Sequence, residues 1–201
     1  PPLRRQRQMC IRDRGETEFV VEIAKQAQED LSKAQISGIV GHANMMLGTS
    51  VNEVLEMHIE KGDGLFRGIR HAGGWDEDQR VKNAHSHPTP HIYLEDEFQK
   101  GLEELASLNL VFDTWHYHNQ IKDLTTLAKN LPELVIIHDH FGGPLGIGPY
   151  KNKREEIFEI WQEDIVDLSQ CPNVYSKLGG LAMPVNAVSY THLRAHETDT
   201  D

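Results

Sequence analysis

The apolar periodicity of this chain switches repeatedly between the helical and the strand repeat, and that alternation restricts the fold more than any other feature. A helical stripe at Phe19, Ile23, Ala27 and Leu31, with Val20 and Ala24 beside it, precedes a short apolar run over 36–43 that contains Gly38 and Gly41. Val51, Val54, Leu55, His58 and Ile59 make a second helical face, and 65–71 a second strand. After a polar stretch over 73–90, Phe98, Leu102, Leu105 and Leu108 predict a helix and 110–115 a strand. Ile121, Leu124, Leu127 and Ala128 predict the next helix and 134–139 the next strand; Ile157, Phe158, Trp161, Ile165 and Leu168 predict a last helix before a strand over 173–178. No tight hairpin signal such as Asn-Gly joins neighbouring strands, so the pattern predicts an α/β fold, a parallel sheet built of right-handed βαβ units.

Sheets of this kind carry their chemistry at the C-terminal ends of the strands. The polar residues of this chain gather there. Arg70 and His71 end the second strand, His116 and His118 the third, His138 and His140 the fourth, and Lys177 the fifth. Side chains alternate along a strand, so His138 and His140 share a direction, as do His116 and His118 where the strand persists that far. His42 and His58 read most simply as a strand residue and a helix-face residue, and His85, His87 and His91 as loop residues facing solvent. For His140 the plain alternative is an imidazole satisfied by a backbone carbonyl.

Composition narrows the function classes. The 201 residues carry Lys+Arg 20 against Asp+Glu 31, a net charge of −11, which disfavours broad contact with nucleic-acid phosphates. No apolar run approaches the roughly 18 residues a membrane helix needs, and no apolar signal-peptide core opens the chain. Two cysteines, Cys10 and Cys171, make no disulfide framework, so a reducing, cytoplasmic location is expected. The glycine-rich segment over 142–148 lacks both the Lys-Ser/Thr of a phosphate loop and dinucleotide-motif spacing, and reads as a βα loop.

The two ends read differently from the rest. Met9-Cys10-Ile11-Arg12-Asp13 and Val188-Ser189-Tyr190-Thr191-His192 can be encoded by DNA strings that are reverse complements, and both resemble translations of the transposon end used to prepare sequencing libraries. Leu193-Arg194-Ala195-His196-Glu197-Thr198 resembles the adjoining primer. On that resemblance 1–14 and 188–201 are set aside as adapter-derived and 15–187 is taken as the native insert. The insert holds Lys+Arg 14 and Asp+Glu 27, a net charge of −13, and ten of the twelve histidines.

Four blocks in order, Phe66-Arg67-Gly68-Ile69-Arg70-His71, Phe112-Asp113-Thr114-Trp115-His116-Tyr117-His118-Asn119-Gln120, Asp139-His140-Phe141-Gly142-Gly143-Pro144-Leu145-Gly146-Ile147-Gly148-Pro149-Tyr150 and Cys171-Pro172-Asn173-Val174-Tyr175-Ser176-Lys177-Leu178-Gly179-Gly180-Leu181, resemble the amidohydrolase-related family. The likeness is to its TIM-barrel metal-dependent hydrolases, in the branch that includes sugar lactonases. It implies a (β/α)8 barrel of which this chain supplies approximately strands three to seven, since barrels of this kind run to about 250 residues. The family's first-strand His-x-His and eighth-strand acid have no counterpart here. The pairs His85/His87, His116/His118 and His138/His140 have the spacing but lie in other strands or in a loop.

The resemblance implies site residues one by one. His140 matches the sixth-strand histidine that faces the reaction centre, as metal ligand or as electrophile toward the substrate carbonyl. Arg70 matches the fourth-strand arginine, suited to pairing with a carboxylate or with sugar hydroxyls. His118 and Gln120 match a His-x-Gln that lines the substrate pocket, with His118 a second candidate metal ligand. His71, Trp75 and Lys177 are implied at the pocket wall, and His138 departs from the family pattern and reads as structural.

The implied chemistry is hydrolysis of a lactone or similar cyclic ester, with a small-molecule substrate such as a sugar lactone or a carboxylate-bearing lactone. A divalent cation, Zn²⁺ first among them, would lower the pKa of a bound water toward about 7; some relatives manage lactone hydrolysis without a metal. Two other readings stand beside it. One is a metal-dependent decarboxylase of the same superfamily, and the other an inactive truncated fragment whose open barrel exposes strand edges and aggregates.

Overall fold

A computed structural model describes residues 2–180 together with 183 and 185, and side chains from residue 15 onward. The adapter-like segment 188–201 lies outside the described residues. Among them the regular elements are α1 (Pro2–Gln28), β1 (Ile39–His42), α2 (Asn52–Lys61), β2 (Phe66–Ala72), α3 (Asp96–Ser107), β3 (Val111–Trp115), α4 (Ile121–Asn130), β4 (Ile136–His138), α5 (Arg154–Leu168) and β5 (Val174–Ser176). The strand order β1-β2-β3-β4-β5 follows the chain. Pairing is parallel, with His42 beside Arg70 in β1–β2 and His138 beside Ser176 in β4–β5. The α/β class and the parallel sheet expected from the alternation are therefore present. The chain divides into two compact units, one holding the residues up to His71 with Asp96–Asp113, the other Ala72–Glu95 with the residues from Thr114 on.

In the first unit, Phe98, Leu102 and Leu105 of α3 are fully buried, as their spacing predicts. Leu108 falls just beyond the helix. Gly68 lets β2 approach its neighbour closely: a Cβ there would lie 2.1 Å from the carbonyl oxygen of Val111.

The inward face of α1 differs from the expected stripe. Thr17, Val21 and Ala24 are buried, whereas Phe19 is 61% and Ile23 39% exposed, and Leu31, beyond the helix end, is 84% exposed. A polar contact accounts for the rotation. Buried His58 of α2 donates from Nε2 to the carbonyl of His42 (3.2 Å), which leaves Nδ1 as an acceptor for the Thr17 hydroxyl at 2.8 Å. Turning Phe19 inward would take Thr17 away and break this buried hydrogen bond, a loss of about 0.5–1.5 kcal/mol.

In the second unit, Ile121, Leu124, Leu127 and Ala128 of α4 are buried as predicted. On α5 only Ile157 and Leu168 of the expected face are fully buried, Phe158 is exposed, and Asp164 takes a buried position near Lys122 Nζ at 3.5 Å. The polar stretch after β2 is ordered around Asp76. Its amide N–H donates to Asn83 Oδ1 (2.7 Å), and its carboxylate accepts from Tyr150 Oη (2.7 Å), Asn119 Nδ2 (3.3 Å) and the Asp78 amide (2.9 Å). His85, His87 and His91 are exposed on this stretch, as their plain reading has it.

Candidate functional site

The second unit gathers its distinctive groups just past β3 and β4. β4 ends at His138, and the chain then enters a left-handed turn: His140 (φ 52°, ψ 40°), Phe141 (φ 57°, ψ 23°), Gly142 (φ 70°) and Gly143 (φ 47°) all have positive φ. For the two residues that carry a Cβ this conformation costs roughly 1–2 kcal/mol each, so surrounding contacts must impose it. Three are visible. Trp161 on α5 donates its indole N–H to the Phe141 carbonyl at 2.6 Å. A Cβ on Gly143 would lie 2.7 Å from the His116 carbonyl oxygen, and one on Gly180 would lie 2.5 Å from the His140 ring.

That turn sets the His140 imidazole half-buried, with Nδ1 shielded from solvent and without a hydrogen-bond partner among the described residues. The carbonyl expected under its plain reading is not there. Nε2 stands 3.8 Å from Oδ2 of Asp139, whose buried carboxylate pairs through Oδ1 with Lys177 Nζ at 3.1 Å. An imidazole, a carboxylate and an ammonium thus lie together past β4 and β5.

Past β3, Gln120 is buried, and its Oε1 accepts from the amide N–H groups of Tyr117 (3.1 Å) and Trp75 (3.3 Å). Both bonds fix the amide orientation, and the Nε2 donors remain buried without a partner among the described residues. Half-buried Trp75 is anchored by its carbonyl, which accepts from Asn119 Nδ2 at 3.2 Å. His118 is buried edge-on to Tyr150, and its Nδ1 accepts from the Leu145 amide at 3.4 Å. Loss of hydration pushes its pKa down to about 4 against an opposing pull from Asp76, so the ring is neutral with its proton on Nε2.

His116 and His138 are both buried, their ring centroids 5.1 Å apart and planes 27° from parallel. Burial lowers both pKa values, His138 to about 4 and His116 well below its usual value with His138 adding to the shift.

In the first unit, Arg70 directs both Nε and Nη2 to Oδ1 of Asp113, each at 2.8 Å, so a buried carboxylate fixes a half-exposed guanidinium. His71 points to the opposite side of β2, is buried against the edge of Phe98, and accepts the Met45 N–H on Nδ1 at 3.2 Å. Asp113 and Asp139 are structural partners that periodicity did not single out, and Trp161, which periodicity placed on the apolar face of the last helix, has a hydrogen-bonding role that periodicity did not report. The acidic residues carry one available signal, each lying within a block of strand-end polar residues; Trp161 carries none, because its role depends on a backbone carbonyl far off in sequence.

A parallel α/β unit with polar groups gathered past the strand ends is an arrangement that (β/α)8 barrels share with open α/β sheets. A family model described as amidohydrolase matches residues 6–199, and the chain belongs to the amidohydrolase family. An uncharacterised protein, y4mH, of Sinorhizobium fredii is 31% identical over 146 residues, which is 73% of this chain and 45% of that protein. An amidohydrolase from Burkholderia multivorans, solved once with bound HEPES and once with bound zinc, matches 86% of this chain at 21% identity and a TM-score of 0.62 in both crystal forms. The chain spans about half the length of these relatives, 45% of the curated one and 52–53% of the solved ones. The fold is part of a TIM barrel.

The zinc of that relative raises the question of which residues here fit a metal ion. Among the described residues no three His, Cys, Asp or Glu side chains converge as a metal shell. His118 spends its Nδ1 lone pair on Leu145 and carries its proton on Nε2, so it offers no free lone pair to an ion. The pair His118 and His140 therefore does not fit a metal in this structure.

Proposed function

We propose that this chain is part of a hydrolase that opens a lactone or similar cyclic ester, with His140 polarising the substrate carbonyl. The observation that carries the reading is the His140 imidazole, held in a strained left-handed turn beside the Asp139–Lys177 pair with a ring nitrogen that no group among the described residues occupies. Strain at a site that surrounding contacts over-determine is how a protein keeps a group preorganised for ligand. The unpartnered amide donors of Gln120 suit a sugar hydroxyl or the ring oxygen. Lys177 and Trp75 are assigned to the pocket wall; in the first unit Arg70, fixed by Asp113, is by its own chemistry suited to a carboxylate or hydroxyl.

Water adds to the acyl carbon, the acyl C–O bond breaks, and the ring oxygen leaves as the hydroxyl of a hydroxy acid. An imidazole N–H aimed at the carbonyl oxygen stabilises the charge that develops there. No metal enters these steps, because the residues implied as ligands do not fit one.

The test is hydrolysis of a sugar-lactone panel, followed by acid release in a pH-indicator assay. Replacement of His140 by Asn is expected to lower kcat at least about 100-fold with the unfolding midpoint unchanged. A variant that stays within twofold of the parent chain, or a chain that opens no lactone, defeats the assignment.

A further inference from the structure

We propose that residues 143–150 form a lid over His118, closed in this structure and latched by the hydrogen bond between Tyr150 and Asp76. Its meaning for function rests on the reading of Gln120 as a substrate donor, whereas the lid itself is testable without substrate. The segment follows β4 and reads Gly143-Pro144-Leu145-Gly146-Ile147-Gly148-Pro149-Tyr150. Gly143 (φ 47°) and Gly148 (φ 57°) bound its irregular part, both in the left-handed region. Glycine passes between left- and right-handed φ without the steric penalty that a Cβ brings, so these two positions are suited to be hinges. Between them 144–147 form neither helix nor strand, so the stretch is held by individual contacts rather than by a backbone ladder.

Those contacts lie on His118 and its surroundings. The Leu145 amide N–H donates to His118 Nδ1 at 3.4 Å, and the Tyr150 ring stands edge-on to the imidazole with centroids 5.0 Å apart. The Leu145 side chain packs with Val81 and Tyr117, and the Gly146 N–H donates to the Val185 carbonyl at 2.8 Å. Tyr150 Oη donates to Asp76 Oδ2 at 2.7 Å across 74 residues of chain. Asp76 is a fixed post for that latch. It is buried, and its carboxylate also accepts from Asn119 Nδ2 and the Asp78 amide. A hydrogen bond to a carboxylate is of the stronger, charge-assisted kind, so its loss raises an opening equilibrium by about tenfold or more. His118 and Gln120 share one turn, and both are buried. A ligand that takes the Gln120 Nε2 donors has to enter past closed protein, and release of the lid uncovers that turn at His118.

The test is labelling of the full 201-residue chain with diethyl pyrocarbonate, read histidine by histidine by mass spectrometry. The reagent attacks the unprotonated ring nitrogen, which in His118 is the Nδ1 that the Leu145 N–H covers. In the parent chain His118 is expected to react far more slowly than the exposed His85 and His87. Y150F removes the latch and keeps the ring; it is expected to raise the His118 rate at least tenfold, with His85, His87 and buried His58 unchanged. Hydrogen exchange is the second measurement. The Leu145 and Gly146 amides should exchange at least tenfold faster in Y150F, while those of α4, in the same unit, keep their rates. His118 labelling that stays the same in Y150F, or that matches His85 already in the parent, overturns the lid. So does a parallel rise at His58 and in α4, since the bond would then hold the whole fold rather than this segment. None of these readouts needs lactone turnover, so the lid and the proposed hydrolysis fail separately.

Discussion

At the residue scale, the histidines divide by what holds their second nitrogen, which sequence spacing does not report. His58 and His71 hydrogen-bond with both or one of their nitrogens to neighbouring backbone or hydroxyl groups and act as core residues. His140 has the opposite arrangement, and its exceptional feature is a backbone angle. The identity of the strand-end residues was legible because strand alternation and the βα repeat place them. Which of them is strained, satisfied or orphaned depends on Trp161, Tyr93 and Ser176, each more than 15 residues away in sequence. His118 yields a pH prediction for chelator-treated protein. Its folded pKa of about 4 lies below the usual 6.5, so the unfolded chain binds the extra proton first. Stability is therefore full above about pH 6.5 and falls as the pH drops toward 4, by an amount of order 3 kcal/mol if the whole shift is expressed. Denaturant midpoints measured between pH 4 and 7 should show a shallower fall in H118Q than in the parent chain, and parallel curves would contradict the assignment.

At the element scale, α4 and α1 mark how far periodicity carries. Every residue of the predicted α4 stripe is buried, because a purely apolar face has nothing to compete with it. On α1 the apolar residues Phe19 and Ile23 lie about 160° and about 120° round the helix from Thr17, and the acceptor on buried His58 favours the Thr17 face. A helical moment weighs side chains by hydrophobicity and cannot see a histidine waiting on another helix. T17V is therefore expected to destabilise by about 0.5–1.5 kcal/mol, since it removes the Thr17 hydrogen bond to His58. F19S, at an exposed position, should stay within about 0.5 kcal/mol. Urea unfolding of the two variants checks the pair, and a larger loss for F19S would restore the stripe read from spacing.

At the whole-molecule scale, the alternation of periods was enough to give an all-parallel α/β sheet, since a parallel strand order needs only the crossover helices between strands. The share of the barrel was legible only through the resemblance, and the relatives are about twice as long as the chain. No described helix is long and apolar enough to cross a membrane. The outer strands of the observed order are β1 and β5. Each presents an apolar side chain to solvent, Val40 at 44% and Tyr175 at 60% exposure. Parallel strands in a barrel are covered on both faces and have no edges, so these residues suit an interior sheet position better than a margin. Exposed apolar side chains on an outer strand favour edge-to-edge association, and a lysine there opposes it by charge and hydration. V40K together with Y175K is expected to reduce light scattering of the 201-residue chain on slow heating while moving the urea midpoint by less than about 0.5 kcal/mol. Scattering that stays the same would place the association elsewhere than these two strands, and a large loss of stability would mean that Val40 and Tyr175 pack against the protein in solution.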